Sequence, residues 1–554
     1  MSSSATQDVD RSPSERVDVC IVGAGVAGAL VAYSLAQSGY EVILLEAGER
    51  FDRGDRLQRM ERDIRPSHDG TSVWEMGGKR DRYTSSGEEF YPLNGTRVKG
   101  VGGTTLHWLG MAGRLHEKDF EMQSRYGLAS DWPISYADLQ PYYATAEEEL
   151  GVAGREGDNP FAPPRENAYP MEAFPFSYSD TMFMDVCERL GIATHSAPQA
   201  RNTEQYDGRS PCLGYSTCIK VCPSGAKYSG DVHVEKAEQE GVRVIDRASV
   251  QSLEHDADGS RIEAAVYATP NGETYRQPAR QFVVACGAVE TARLLLLSKS
   301  ETYPDGLANS SGVVGRYFME HPSVGIDGKI DQQTNQNPIG FYTMESQQFY
   351  DHEASRPGSF TLVFENRGAT VPMDMALSGG DSGVFEDLSD VAAGDRWGDA
   401  LFDAMQEDYS QREVGLEAAV EQLPRKENTV TLDRTKTDDH GNPVPEVSWN
   451  LGAHERKTME RSLNVQREVL TEMDAEITSV RGPDNPGHAG HHMGTTRMSN
   501  DPGKGVVDSR LRTHDVGNLT IASGSVFVTG GAVPPTLTIA ALSLKAAEHI
   551  DDSL

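Results

Sequence analysis

The chain has 554 residues, beyond the length at which one hydrophobic core keeps growing, so two domains are expected. Apolar residues at 37% and charged residues at 24% exclude a fibrous or disordered chain. A net charge of -33 sets phosphate backbones and anionic membranes against it. No run of about 18 apolar residues is present, so no intrinsic membrane segment is expected. Met1 to Arg16 is polar and acidic and lacks the basic start and apolar core of a signal peptide. The sequence therefore reads as cytoplasmic, or as exported on a partner subunit that carries a signal. Only 13 of the 51 basic residues are Lys, which with the excess carboxylates points to a surface adapted to high salt. A merely acidic mesophilic enzyme is the plainer alternative.

From the N-terminus, Val17-Asp18-Val19-Cys20-Ile21-Val22 is the short β-branched run of a buried parallel strand. Gly23-Ala24-Gly25-Val26-Ala27-Gly28 follows, then an apolar helical stretch through Ala36 and a second strand, Glu41 to Leu45, ending in Glu46. Strand, glycine turn, helix, strand and acid form the dinucleotide fingerprint in its full context and predict an α/β fold. Gly23 serves the tight turn and Gly25 the approach of backbone to pyrophosphate. Gly28 serves close packing of helix on strand, and Glu46 is expected to accept from the adenosine ribose.

Three later segments carry a more specific pattern. They are Gly100-Val101-Gly102-Gly103-Thr104-Thr105-Leu106-His107-Trp108, then Ala285 to Leu294, then His491-His492-Met493-Gly494-Thr495-Thr496-Arg497-Met498 with the run Asn518 to Ile550. Together they resemble the glucose–methanol–choline (GMC) oxidoreductases, in the family's order and across nearly the whole chain. The resemblance implies FAD as cofactor in a Rossmann-like domain, a sheet-based substrate domain, and an overall architecture like p-hydroxybenzoate hydroxylase. It assigns 15–130, 234–322 and 483–554 to the FAD domain, and 131–233 and 323–482 to the substrate domain. Gly102, Gly103, Thr104, Val250, Gly524, Ser525 and Thr536 are implied to line the FAD site. The Gly-Gly-Thr-Thr-x-His-Trp form is similar to sugar and aldonate dehydrogenases and to pyranose oxidase. In some of those the His is bonded to the flavin 8α-methyl, which extends to His107; the plainer reading is a ring that packs beside the flavin.

Oxidising an alcohol needs a base for the O–H proton. The family's catalytic histidine, three residues before the Gly of its Gly-Thr-x-Arg-Met segment, corresponds to His491. His492 is expected to point the other way, and His488 to sit in a loop. Where the family usually places a second His or Asn beside the flavin, this chain has Pro534, which has no side-chain donor or acceptor. That leaves His491 alone or helped by a residue the sequence does not identify. A helix starting near Pro535 would turn its positive end to the flavin.

Cys20, Cys187 and Cys286 are scattered in apolar contexts and read as small buried hydrophobes. Cys212, Cys218 and Cys222 are clustered, and three thiols leave one over in any disulfide pairing. A metal site, zinc with a missing fourth ligand, or free thiols remain open from the residues alone. The loop through Tyr228 resembles one in iron–sulfur-bearing catalytic subunits of glucose, gluconate and fructose dehydrogenases, which implies a [3Fe-4S] cluster. It also implies a small subunit and a cytochrome or other protein acceptor. The expected activity is oxidation of a sugar, polyol or aldonate; a pyranose-type oxidase and a catalytically decayed flavoprotein are the rivals. The acidic stretch Gly379 to Asp399 is expected to be a solvated loop.

Overall fold

A computed structural model describes residues 10–63, 72–334, 340, 342–352, 358–366, 399, 402–403 and 412–554. Apart from Asp399, the acidic stretch lies outside the described residues. The first sheet is built on Val17–Val22, buried along almost its whole length. It lies between the parallel strands Val42–Leu45 and Thr274–Val284. Arg243–Ile245 and Leu519–Ile521 extend the parallel part on either side. Thr274–Val284 is long enough to do two jobs: its second half pairs with Val17–Val22, and its first half pairs antiparallel with Ile262–Ala268. That strand in turn pairs with Ser249–His255 around the turn at Asp256 to Gly259. Helices Val26–Gln37, Tyr136–Leu150 and Thr536–Asp551 bury their apolar residues in the core around this sheet. Tyr136–Leu150 starts at a Ser135–Asp138 capping box and stops at Gly151, which adopts φ 68°.

A second core lies around two further sheets. One runs in the order Met493–Thr495, Arg316–Met319, Thr429–Thr437, Pro443–Ser448, Thr84–Ser85. The other runs Glu476–Arg481, Pro322–Lys329, Glu413–Val420, Phe360–Phe364, Met344–Ser346, His195–Ser196. The segment 323–482 is therefore divided between both sheets. Arg316–Met319 and Pro322–Lys329 are consecutive in sequence yet belong to different sheets, so Glu320 and His321 occupy the crossing. Met319 pairs with Met493 in antiparallel register. Continuing that register by two residues sets His321 opposite His491. His488 is not in a loop as expected: Gly487–His488 is a short strand against Pro322 and Ser323, because the same crossing offers it a free edge.

Among the described residues, no helix is long and apolar enough to cross a membrane. All six cysteines are free. Cys20 and Cys187 are fully buried, while Cys286 donates its thiol to the Val22 carbonyl at 3.2 Å.

Candidate active site

A cavity is lined by Gly23, Gly25, Glu46, Val250, Gly103, Thr104, Trp108, His491, His492, Gly524 and Thr536, among others. Its glycines are explained by what a side chain would meet. Gly23 adopts φ +104°, and a Cβ there would lie 2.6 Å from the Ala285 carbonyl oxygen. A Cβ on Gly28 would lie 1.9 Å from the Gly23 carbonyl oxygen, so the helix can close on the turn only with glycine. Gly25 differs: its nearest neighbour would be the Gly103 Cα at 3.9 Å, so a side chain there would take up cavity space rather than clash. Gly25 is also the N-cap of Val26–Gln37 without a side-chain cap, which leaves helix N–H groups for an anion. Gly102 and Gly103, at φ +105° and +59°, turn the second loop against it.

Glu46 already has backbone partners, accepting from Ala24 N and Gly48 N at 2.8 Å each. Burial pushes its carboxyl pKa upward against those bonds. The remaining lone pairs can take a ribose hydroxyl. Gly524 permits close packing, since a Cβ would lie 2.6 Å from the His492 carbonyl oxygen. Ser525 lies behind the wall: its hydroxyl accepts from Thr496 at 2.6 Å and it is fully buried. Helix Thr536–Asp551 begins at the cavity, after Pro535. His107 ends the short helical turn Gly103–Leu106, and its Nε2 is enclosed with no protein partner. Burial lowers its pKa to about 4, so the imidazole is neutral.

The two adjacent histidines both line the cavity but take different partners. His492 Nε2 meets Thr96 Oγ1 at 2.9 Å, with its ring against Tyr91 and Phe318. His491 Nδ1 meets His321 Nδ1 at 2.8 Å. His321 is thus a partner of His491 that the sequence did not identify, from a segment 170 residues away. Burial, with His321 and His492 adding to it, holds the His491 pKa well below the usual histidine value. Beneath both rings, Glu320 Oε1 accepts from His491 N at 2.7 Å and His321 N at 2.8 Å, and Tyr91 donates to Oε2. Burial lifts the Glu320 pKa to about 7. Sequence reasoning did not single out His321.

The cysteine loop adjoins this site. Arg201 Nη1 stands 3.8 Å from both Cys212 Sγ and Cys218 Sγ. Cys222 Sγ accepts from Lys227 N at 3.5 Å. Burial raises the Cys222 thiol pKa, but the Lys227 N–H and ammonium, with Ser224 and Arg56, outweigh it and lower the pKa overall. Lys227 Nζ donates to the carbonyls of Cys218, Leu106 and Trp108, tying the thiol loop to the loop that lines the cavity. Burial lowers its pKa to about 8. Among the described residues, no three His, Cys, Asp or Glu side chains are gathered tightly enough to hold a metal ion.

Residues 424–543 match the family described as GMC oxidoreductase, and residues 18–55 match FAD dependent oxidoreductase. The chain is 34% identical to the fructose dehydrogenase large subunit of Gluconobacter japonicus, over 97% of this chain and 98% of that one. It is 29% identical to 2-methyl-1,2-propanediol dehydrogenase of Mycolicibacterium austroafricanum, over 97% and 95%. Among solved structures, pyridoxine 4-oxidase from Mesorbium loti shares the fold with a TM-score of 0.64 at 16% identity, over 97% and 99%.

Proposed function

The chain belongs to the GMC oxidoreductase family and is an FAD-dependent oxidoreductase acting on CH–OH groups of alcohol- or sugar-like substrates, and from that premise we propose that it is a dehydrogenase of a sugar, polyol or aldonate with His491 as its base. The observation that carries this reading is the position of His491, on the wall of the glycine-lined cavity and held from behind by His321. The residues fit FAD: Gly25 leaves room for the pyrophosphate at a helix N-terminus, and Glu46 stands at the second strand's end. When bound, FAD supplies the hydride acceptor at N5. The chain's part is to hold the substrate carbon against the ring and to take the hydroxyl proton on His491, so that the alcohol leaves as a carbonyl compound. A base whose pKa is depressed stays unprotonated at neutral pH.

His107 keeps a neutral imidazole with an unengaged Nε2, the form that can bond to the flavin 8α-methyl; we assign the covalent link to it. We assign a [3Fe-4S] cluster to Cys212, Cys218 and Cys222, which would draw together thiols that are not gathered as a metal site here, on two grounds. Three thiols match its protein ligands. Arg201, its guanidinium stacked on Phe174, has Nε and Nη2 buried without a hydrogen-bond partner beside two of them, a cationic group that a negatively charged cluster would offset. Lys227 joins the thiol loop to the loop that lines the cavity, an arrangement suited to a one-electron protein acceptor, with a small subunit as further partner. Anaerobic mixing of the reconstituted holoenzyme with sugars, polyols and aldonates tests the reading: one class should bleach the flavin band, and peroxide should not accumulate in air. Rapid peroxide formation would instead favour an oxidase.

A further inference from the structure

The atoms around His321 determine which nitrogen of His491 carries a proton. His321 Nε2 faces the carbonyl oxygens of Gly530 at 3.2 Å and Gly531 at 2.9 Å. Both can only accept, so Nε2 carries the hydrogen. A neutral imidazole has one donor and one acceptor nitrogen, so His321 Nδ1 accepts. Its partner at 2.8 Å, His491 Nδ1, must then donate, and the lone pair of His491 is left on Nε2.

We propose that His321 is a positioning residue that fixes His491 in the Nδ1–H tautomer, with Nε2 as the proton acceptor for the substrate hydroxyl. The inference rests on His491 being the base. It assigns to the Glu320-His321 crossing the support of the base. When His491 takes a proton on Nε2, the Nδ1–H···Nδ1 bond becomes charge-assisted and strengthens. The Gly530 and Gly531 carbonyls in turn stabilise charge shared with His321.

The carbonyl platform is closely packed. A Cβ on Gly531 would lie 2.3 Å from the Tyr350 hydroxyl, and one on Gly530 would lie 2.8 Å from Met493 Cε. Ala532 N donates to the Tyr350 hydroxyl at 3.1 Å, which donates to Asp119 at 2.7 Å. The ring orientation of His321 is thus set on both sides, by the glycine carbonyls and by His491. The titratable and charged groups facing the pair are Glu320 below, His492 beside His491, and Asp119, Tyr350 and Glu421 behind the glycines.

The test combines a spectroscopic readout with kinetics on the holoenzyme. In protein labelled with 15N-histidine, His491, identified by the signals lost in His491→Gln, should show a pyridine-type Nε2 and a pyrrole-type Nδ1. The reverse pattern overturns the proposal. Anaerobic flavin reduction by D-fructose, D-glucose, D-gluconate or sorbitol, whichever reduces the wild type fastest, gives the second readout. His321→Leu should slow reduction by roughly 10–100-fold, as expected for loss of an orienting partner, with FAD content and half-saturation unchanged and the pH midpoint displaced. His321→Asn retains an acceptor towards His491 and should recover most of the rate. A Leu variant reduced at the wild-type rate, or an Asn variant no better than Leu, overturns the proposal. A control separates the two claims: if His491→Ala is reduced as fast as the wild type, it is the reading of His491 as base that fails.

Discussion

The two walls of the cavity are made on different principles. The dinucleotide wall is backbone: Gly23, Gly25, Gly28 and Gly103 act by what they lack, and each is placed by neighbours within one turn or by a single facing loop. The base's side is held by side chains: His491 lines the cavity, and His321, Glu320 and Tyr91 support it from behind through hydrogen bonds, converging from segments far apart in sequence. A side chain added to the first wall acts by the space it meets, whereas a side chain removed from the second acts by the hydrogen bond it leaves unmade.

The largest effect expected is at Gly28. Gly28→Ala drives a methyl group into the Gly23 carbonyl, and no FAD-loaded protein should form, checked by the absorbance ratio of flavin to protein. Gly25→Ala should fold normally and bind FAD more weakly, because its Cβ meets only the cavity. If the two variants behaved alike, the sterically graded picture of this wall would be wrong. Next is the base: His491→Ala should keep FAD yet slow flavin reduction by a factor on the order of 10² or more. The wild-type rate should fall only as pH drops through a midpoint below the ordinary histidine range, because burial depresses the pKa of the base.

Smaller effects concern the supports. Changing any one of Cys212, Cys218 and Cys222 to Ser should leave flavin reduction by substrate nearly intact while transfer to a one-electron protein acceptor falls at least about tenfold, a loss of roughly 1.4 kcal/mol or more in coupling. His107→Ala should release its flavin on acid precipitation, where the wild type keeps it. Glu320 should have the mildest effect. Its carboxyl titrates near 7 in the folded protein against 4.5 as the ordinary value. A raised pKa contributes stability that is complete below about 4.5 and is lost as pH rises through about 7. Glu320→Gln should flatten the dependence of unfolding midpoint on pH across that window, by roughly 1–3 kcal/mol.

The same contrast explains what was legible in the sequence. Strand, turn, helix and acid from Val17 to Glu46 follow one another along the chain, so their spacing alone conveys the site. Helix Thr536–Asp551 was legible for the same reason, with Pro535 marking its start. His321 was not. Its role depends on the register of Met319 against Met493 and on an abrupt change of sheet between Met319 and Pro322, neither of which leaves a local pattern. The cysteines were legible as a cluster, but their link to the cavity through Lys227 was not, because a buried lysine bonded to three carbonyls looks like any other lysine in sequence. His488 was misplaced because a two-residue strand has no periodicity to read.

The most direct test of the central claim is the anaerobic visible spectrum of the holoenzyme before and after sugars, polyols and aldonates are added, run alongside His491→Ala. One substrate class should bleach the wild-type flavin within the mixing time or shortly after, with the variant slower by a factor on the order of 10² or more. Flavin that dithionite reduces but no member of the panel bleaches, or a variant that keeps pace with the wild type, would contradict it.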